Sequence, residues 1–248
     1  MPQSGLVTSR AVVARNFAIL PPDGIPESTL PGWEQTAVRI LTAPAMGARF
    51  AQYRLDLQPK GGGHHILDAG IEAFFYVISG NVELTVGGRQ HSLAPGGFAF
   101  LAPGSSFELR ARDAAAVTWI KKRYQPHAGL AAHEVVGNEH DMKGEVFNGF
   151  TELLLKKLLP VEPSFDMEMN IFTFPPGFSL GVTETHVMEH GLVMLEGQGL
   201  YYLGDTWREV KAGDFIWMGP YCPQSFYATG SAPSRYLYYK DVNRDVAL

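Results

Sequence analysis

Four side chains in the second half of the sequence have the types and spacing of metal ligands. Glu184 and His186 are separated by one residue, so on a strand both side chains leave the same face. His190 follows four residues later, after room for a bend, and Gln224 ends the run GDFIWMGPYCPQ. One carboxylate, two imidazoles and one amide oxygen form a mixed nitrogen and oxygen site without sulfur. Such a site favours six-coordinate Mn²⁺, Fe²⁺ or Ni²⁺ over structural zinc, and it leaves two positions open for substrate or water.

An internal repeat predicts the elements that hold these residues. Pro103 and Pro220 are 117 positions apart, and other pairs share this offset without a gap. These pairs are Gly80 with Gly197, Glu72 with Glu189, Gly96 with Gly213, Phe98 with Phe215, Pro59 with Pro176 and Gly87 with Gly204. Because most of them are turn residues, the chain is predicted to contain two copies of one fold, with domains at 1–128 and 129–248.

The predicted fold class is all-β. Short apolar runs such as VELTV, GLVMLEG and RYLYYK alternate β-branched or aromatic residues with polar ones, and Gly, Pro or Asp bounds them. Eight or more antiparallel strands in each half are expected to close into a small barrel that holds one ligand in its mouth. The segment 148–159, NGFTELLLKKLL, is the best helical candidate, although a strand followed by a turn fits it as well.

The repeat also provides an internal control for the metal site. The positions 117 residues before the four candidate ligands are Leu67, Ala69, Ala73 and Phe107. All four are apolar, and none of them can bind a metal ion. The first half is therefore predicted to keep the scaffold and to fill the site with hydrophobic side chains.

Several other chemically capable residues are assigned to structural roles. Glu72 and Glu189 match each other in the repeat, so both are expected to support the fold. His64 and His65 follow three glycines and have no carboxylate in register, which predicts a loop. Cys222 is the single cysteine, so buried packing is favoured over a nucleophilic role, and an intrachain disulfide is excluded.

The last strand supplies candidate substrate contacts. Tyr236, Tyr238 and Lys240 alternate onto one face of SRYLYYKD. If this face lines the barrel mouth, Lys240 places a cation near the metal, where it can hold a carboxylate or transfer a proton. A surface ion pair with a neighbour such as Asp241 is the alternative. Tyr201 is predicted to lie either in the pocket wall or in the core.

Composition excludes other classes of function. The chain has 248 residues, 46% of them hydrophobic and 18% charged, which is typical of a soluble globular protein. A net charge of −5 without a basic cluster argues against nucleic-acid binding. No apolar run is long enough to cross a membrane, and no signal peptide is recognisable. One cysteine favours a reducing, cytoplasmic environment.

The motifs resemble those of a known family. ETHVMEHGLVMLEG and GDFIWMGPYCPQ are similar to the two cupin motifs, but Glu184, His190 and Gln224 stand where cupins usually have His, Glu and His. This substituted ligand set resembles the (S)-ureidoglycine aminohydrolase family, as do LEGQG, YKDVNRD and the N-terminal RAVVARNFAILPPDGIPESTLPGWE. The resemblance covers nearly the whole chain.

The resemblance implies two tandem cupin barrels of the double-stranded β-helix or jelly-roll type, with one Mn²⁺ in the second. It implies release of ammonia from (S)-ureidoglycine to give (S)-ureidoglycolate, in purine (allantoin) catabolism. The implied metal ligands are Glu184, His186, His190 and Gln224. Tyr201, Tyr236 and Lys240 would contact this small-molecule substrate, and Lys240 or Glu184 would transfer protons. A cytoplasmic homo-oligomer is implied as well.

Two other functions compete with this expectation. A different metal-dependent cupin enzyme, a dioxygenase or isomerase of a small carboxylic acid, usually has three His ligands, which this chain lacks. A non-enzymatic cupin that binds a small ligand would be expected to have a degenerate site in both halves, whereas only the first half is degenerate here.

Overall fold

The computed structural model describes residues 10–127 and 129–245, which consist mainly of short antiparallel strands. The strands are β1 (Val12–Val13), β2 (Phe17–Leu20), β3 (Glu34–Thr42), β4 (Phe50–Ile66), β5 (Ile71–Ser79), β6 (Val82–Val86), β7 (Arg89–Leu93), β8 (Gly97–Leu101), β9 (Ser106–Ala111), β10 (Ala115–Arg123), β11 (Val135–Asn138), β12 (Glu145–Phe147), β13 (Phe150–Lys157), β14 (Met167–Phe174), β15 (His190–Glu196), β16 (Gln198–Leu203), β17 (Thr206–Lys211), β18 (Phe215–Met218), β19 (Gln224–Ala228) and β20 (Ser234–Asp241). Three short 3-10 turns complete the described elements, at Pro22–Gly24, Pro44–Met46 and Glu139–Asp141. The prediction of an all-β protein is confirmed.

One compact unit is formed by Pro26–Met142 and Leu159–Asp166. Its antiparallel sheet has the strand order β11-β8-β5-β10-β4-β9-β6-β7, and β3 pairs with β4. The sheet encloses a hydrophobic core that includes Trp33, Phe75, Phe107 and Trp119.

The other compact unit draws on the described residues within Met1–Ile25, Lys143–Leu158 and Met167–Leu248. Its larger sheet has the order β1-β2-β18-β15-β20-β14-β13-β12, and a second sheet has the order β17-β16-β19. Strand β2 lies antiparallel to β18, with Phe17 opposite Met218. A division at residue 128 follows the repeat, whereas the compact units interleave along the chain because β1 and β2 complete the sheet that carries the candidate site.

The structure explains why glycine recurs at equivalent turns of the repeat. Gly80 and Gly197 both have φ +75°, in the left-handed region that side chains rarely adopt. A Cβ atom would lie 2.3 Å from the Ala114 carbonyl oxygen in the first unit and 2.7 Å from the Pro233 carbonyl oxygen in the second. Backbone conformation and close packing therefore require glycine at both places.

The segment predicted as the best helical candidate is strand β13, so the alternative of a strand and a turn is correct. Leu153 and Leu155 are buried, whereas Leu154 between them is 41% exposed. This alternation is the period of a strand, but three consecutive leucines conceal it in the sequence. No helix among the described residues has the length and apolar character needed to cross a membrane.

Candidate metal centre

Backbone pairing brings two of the predicted ligands side by side. Glu184 and Gln224 form an isolated bridge in which each backbone N–H donates to the carbonyl oxygen of the other, at 2.8 and 2.9 Å. The sequence analysis placed Glu184 and His186 on a strand, and this detail is wrong because both lie in the loop before β15. The bridge gives the loop a fixed register against β19 although no regular strand forms.

Both imidazoles are held with the same ring nitrogen directed inward. His190 is the first residue of β15, and its Nδ1 lies 2.9 Å from the Tyr239 carbonyl oxygen. The Nδ1 atom of His186 lies 3.1 Å from the Met188 carbonyl oxygen. A carbonyl oxygen only accepts hydrogen bonds, so each Nδ1 carries the proton and each Nε2 presents a lone pair.

The two lone pairs face each other across a short gap. The Nε2 atoms of His186 and His190 are 3.4 Å apart, and the Gln224 side-chain amide lies 3.1 Å from His186 Nε2. Burial lowers the pKa of His190 to about 3, with His186 and Lys240 as further causes, so its ring is neutral. Neutral lone pairs at this distance repel each other, and a cation between them would remove the repulsion. The amide can present its oxygen to the same point, because its two ends are interchangeable by rotation.

The donor set therefore fits a metal ion, although its members are not equally close. Within the described residues, no three His, Cys, Asp or Glu side chains are already drawn together as a metal cluster. The tightest part of the centre consists of two imidazoles and the Gln224 amide, and Glu184 lines the same pocket. All four residues predicted as ligands thus share one cavity.

The cavity measures about 80 Å³, which restricts its ligand to a small molecule. Its wall contains the three residues predicted as substrate contacts, Tyr201, Tyr236 and Lys240, and the adjacent Tyr238. Burial raises the pKa of each of the three tyrosines, so their hydroxyl groups stay protonated at neutral pH. Apolar side chains complete the wall: Phe147, Phe172, Leu192 and Met218.

Sheet register explains the position of Lys240. It lies directly opposite His190 on the neighbouring strand, and residues in that relation project from the same face. Asp241, the alternative partner in the sequence analysis, accepts a hydrogen bond of 2.6 Å from the Glu189 backbone N–H. Lys240 therefore provides a cation beside the imidazoles, within the wall of the cavity.

The first barrel lacks the ligands at the equivalent places. Leu67, Ala73 and Phe107 are buried in its hydrophobic core, whereas Ala69 is exposed. The prediction that His64 and His65 lie in a loop is wrong, because both belong to β4. The strand continues through Gly62, where a Cβ atom would lie 1.9 Å from the Leu109 carbonyl oxygen. Glycine there permits a close approach of two strands. In the sequence, the same run of glycines is typical of a loop and therefore conceals the strand.

The remaining structural assignments hold. Glu72 and Glu189 are completely buried, and Glu189 accepts a hydrogen bond from Trp217 Nε1 at 3.3 Å. Cys222 is buried, and burial raises the pKa of its thiol. A low thiolate population makes it a packing residue and a poor nucleophile.

Sequence reasoning missed the pocket residues that no motif marks. Phe147 comes from β12, far along the chain from the ligands, and Phe172 comes from β14. Their only signal is that they are aromatic residues within strands, a property that many core residues share.

Comparison with known proteins first defines the class. The family model described as "Cupin domain" matches residues 53–121 and 170–239, one match in each half of the chain. The protein is thus a two-domain cupin with its candidate site in the second barrel.

Individual relatives narrow the class. The chain is 40% identical to (S)-ureidoglycine aminohydrolase of Escherichia coli, over 98% of this chain and 95% of that protein. It is 35% identical to (S)-ureidoglycine aminohydrolase of Arabidopsis thaliana, over 96% of this chain and 79% of that protein. The crystal structure of E. coli protein Ylba aligns with a TM-score of 0.89 at 40% identity, covering 98% of both chains. The chain belongs to the (S)-ureidoglycine aminohydrolase family, as the sequence motifs predicted.

Proposed function

We propose that this protein releases ammonia from (S)-ureidoglycine and forms (S)-ureidoglycolate, with one Mn²⁺ in the second barrel. The observation that carries the proposal is full-length similarity to enzymes of that name, at 40% identity over 98% of the chain. A small cavity that combines a mixed nitrogen and oxygen donor set with Lys240 supports it independently. The corresponding biological role is a step in purine (allantoin) catabolism.

The substrate carries a carboxylate, an amino group and a ureido group on one carbon atom. Glu184, His186, His190 and Gln224 would hold the manganese ion, because hard carboxylate and amide oxygens with imidazoles suit it. When bound, the ion supplies Lewis acidity and a template for the small substrate. The choice of Mn²⁺ over Fe²⁺ or Ni²⁺ follows the family assignment.

The chain's own residues would bind and orient the substrate. The Lys240 ammonium is suited to the substrate carboxylate, and the protonated hydroxyls of Tyr201 and Tyr236 can donate hydrogen bonds. Fixing a small molecule in one orientation removes much of the entropic cost of the reaction. The apolar part of the wall limits the entry of water, which strengthens these polar contacts.

Loss of ammonia requires a proton at the leaving nitrogen and a water molecule from which a proton is removed. Lys240 is positioned to donate a proton, and the Glu184 carboxylate to accept one. Replacement of Lys240 by Met is therefore expected to reduce turnover by at least about 100-fold. Manganese content should be unchanged in this variant, and near wild-type turnover would remove Lys240 from the mechanism.

The decisive experiment is an ammonia-release assay on freshly prepared ureidoglycine, with metal-free protein and with protein reloaded with Mn²⁺. The proposal predicts ammonia above the spontaneous rate only after reloading. A parallel oxygen electrode separates this reaction from that of a dioxygenase, which would consume oxygen without releasing ammonia. Absence of metal-dependent ammonia release would refute the proposal.

We further propose that the protein works as a homo-oligomer in the cytoplasm. Its single cysteine suits a reducing compartment, and the oligomer follows the family resemblance. Light scattering after size-exclusion chromatography would measure the mass in solution, and the mass of one chain would contradict the oligomer.

A further inference from the structure

Tyr238 lines the cavity but is not among the substrate contacts predicted from the sequence. Its ring stacks on Phe172, with centroids 5.8 Å apart and planes 12° apart. It also meets the His190 ring edge to face at 5.4 Å. Contacts on two sides fix the ring, so the position of the hydroxyl oxygen is fixed as well.

Two residues of β14 form a hydrogen-bonded chain behind this hydroxyl group. Asn170 Nδ2 donates to Glu168 Oε2 at 3.0 Å and to the Tyr238 hydroxyl oxygen at 3.3 Å. We call these three residues the donor chain. An amide rotated by half a turn would place its oxygen against the Glu168 carboxylate, where two acceptors repel. The carboxylate therefore sets the orientation of the amide.

The direction of the donor chain determines what Tyr238 can do. Its oxygen already accepts a hydrogen bond from the Asn170 amide, so its own proton is available to the cavity. A tyrosine phenol, with an ordinary pKa of about 10, keeps its proton at neutral pH. The bond from Asn170 and a bond donated by the Tyr238 hydroxyl would run in the same direction and polarise each other, so this O–H is a better donor than an isolated phenol.

The first barrel supports a functional rather than a structural origin for the donor chain. There the sheet register places Trp119 opposite Tyr53 and Lys121 opposite Ala51. In the second barrel, Tyr238 lies opposite Asn170 in the same way. The first barrel thus has the strands and retains a lysine near the end of β10, but its equivalent described positions carry neither metal ligands nor the donor chain.

We infer that Tyr238 donates a hydrogen bond to the ureido carbonyl oxygen of the substrate, with Asn170 and Glu168 as positioning residues. The inference rests on the proposed function, because it names a group of that substrate. The charged Lys240 suits the charged carboxylate, whereas an uncharged O–H suits an uncharged carbonyl oxygen. Recognition of the ureido group would distinguish the substrate from other small amino or hydroxy acids.

Binding of two stable ligands tests this assignment. N-carbamoylglycine contains the carboxylate and the ureido group without the leaving amine, and glycolate contains the carboxylate without the ureido group. Both are titrated calorimetrically into protein reloaded with Mn²⁺. Tyr238→Phe should lower the affinity for N-carbamoylglycine about tenfold, which corresponds to the loss of one hydrogen bond. It should change the affinity for glycolate by less than about twofold.

Glu168→Gln provides a second variant that leaves the cavity wall intact. The new amide can donate to Asn170 Oδ1, so the Asn170 amide is no longer held in one orientation. Because Glu168 also lies opposite Lys240, the readout is the ratio of the two affinities: N-carbamoylglycine should bind about threefold more weakly relative to glycolate. The matched control is Tyr202→Phe, since Tyr202 contacts Trp207 at a ring distance of 5.3 Å and is not part of the cavity wall.

Equal weakening of both ligands by Tyr238→Phe would overturn the inference, because the hydroxyl would then serve only the shape of the site. Unchanged binding of N-carbamoylglycine, or no binding of it by the wild-type protein, would overturn it as well. The ammonia assay on the wild-type protein separates the two proposals. If the wild-type protein shows no turnover, the proposed function is refuted. If it turns over normally but Tyr238→Phe weakens the binding of both ligands equally, only the role of Tyr238 is refuted.

Discussion

A buried carboxyl group in the first barrel should make stability depend on pH. Glu72 is completely buried, and Lys122 Nζ lies 3.3 Å from its Oε1 atom and 2.5 Å from Asp166 Oδ2. One cation thus faces two carboxyl groups in a buried environment. The pKa of Glu72 is raised to about 9, chiefly by burial and also by the adjacent Asp166, while Lys122 acts in the opposite direction.

The folded protein therefore holds a proton that the unfolded chain releases. A glutamate in an unfolded chain has a pKa of about 4.3, so between that value and about 9 the folded state binds one more proton. Stability from this proton is fully present below the lower value, falls progressively between the two values and is lost above the higher one. The slope is about 1.4 kcal/mol per pH unit, which amounts to about 3 kcal/mol between pH 6 and pH 8.

Glu72→Gln is nearly isosteric with the protonated side chain and removes the titration. Urea unfolding of metal-free protein at pH 6, 7 and 8 should show wild-type stability falling relative to the variant by about 3 kcal/mol over this range. Glu108→Gln is the control, because Glu108 is 45% exposed and its ion pair with Arg110 is solvated. Parallel pH profiles of the wild type and Glu72→Gln would refute the reasoning and assign an ionised Glu72 to the folded state.

Other variants test the remaining structural arguments. Arg10→Leu leaves the buried Asp214 carboxylate without its two-pronged partner at 2.7 and 2.8 Å and should cost about 2 kcal/mol, a fall in Tm of roughly 4–8 °C. The same change at Arg110, a solvated pair, should cost less than about 1 kcal/mol, and equal losses would contradict the assignment. His65→Phe should leave ammonia release and metal content unchanged, because the ring only packs at 4.7 Å from Trp33, and a loss of activity with unchanged Tm would assign it a function. His190→Asn should abolish manganese binding in equilibrium dialysis, whereas retained stoichiometric metal would exclude that residue as a ligand.

The site was largely predictable because its information is local. Glu184, His186 and His190 lie within seven positions, and Gln224 follows a turn that the repeat marks. The fixed offset of turn residues needs no knowledge of packing, since left-handed conformations such as that of Gly197 restrict the residue type by themselves.

The parts that were not predictable depend on pairing between distant strands. The hydrogen bond from Asn170 to Tyr238 joins β14 to β20 across 68 positions of sequence, and no spacing rule links the two residues. The glycines before His64 suggest a loop until the neighbouring strand is known to pass against Gly62. Pattern gives the type of an element, whereas its neighbours in the sheet follow from the total packing energy of the chain.

The pairing of β2 with β18 affects when the second barrel can fold during synthesis. Met218, the partner of Phe17, is synthesised 201 residues after it. At a synthesis rate of about 5–20 residues per second, the apolar segment FAIL waits roughly 10–40 seconds for its place in the sheet. During that interval it is an apolar strand without its partner, so the second barrel can acquire its final form only after β18 has been synthesised.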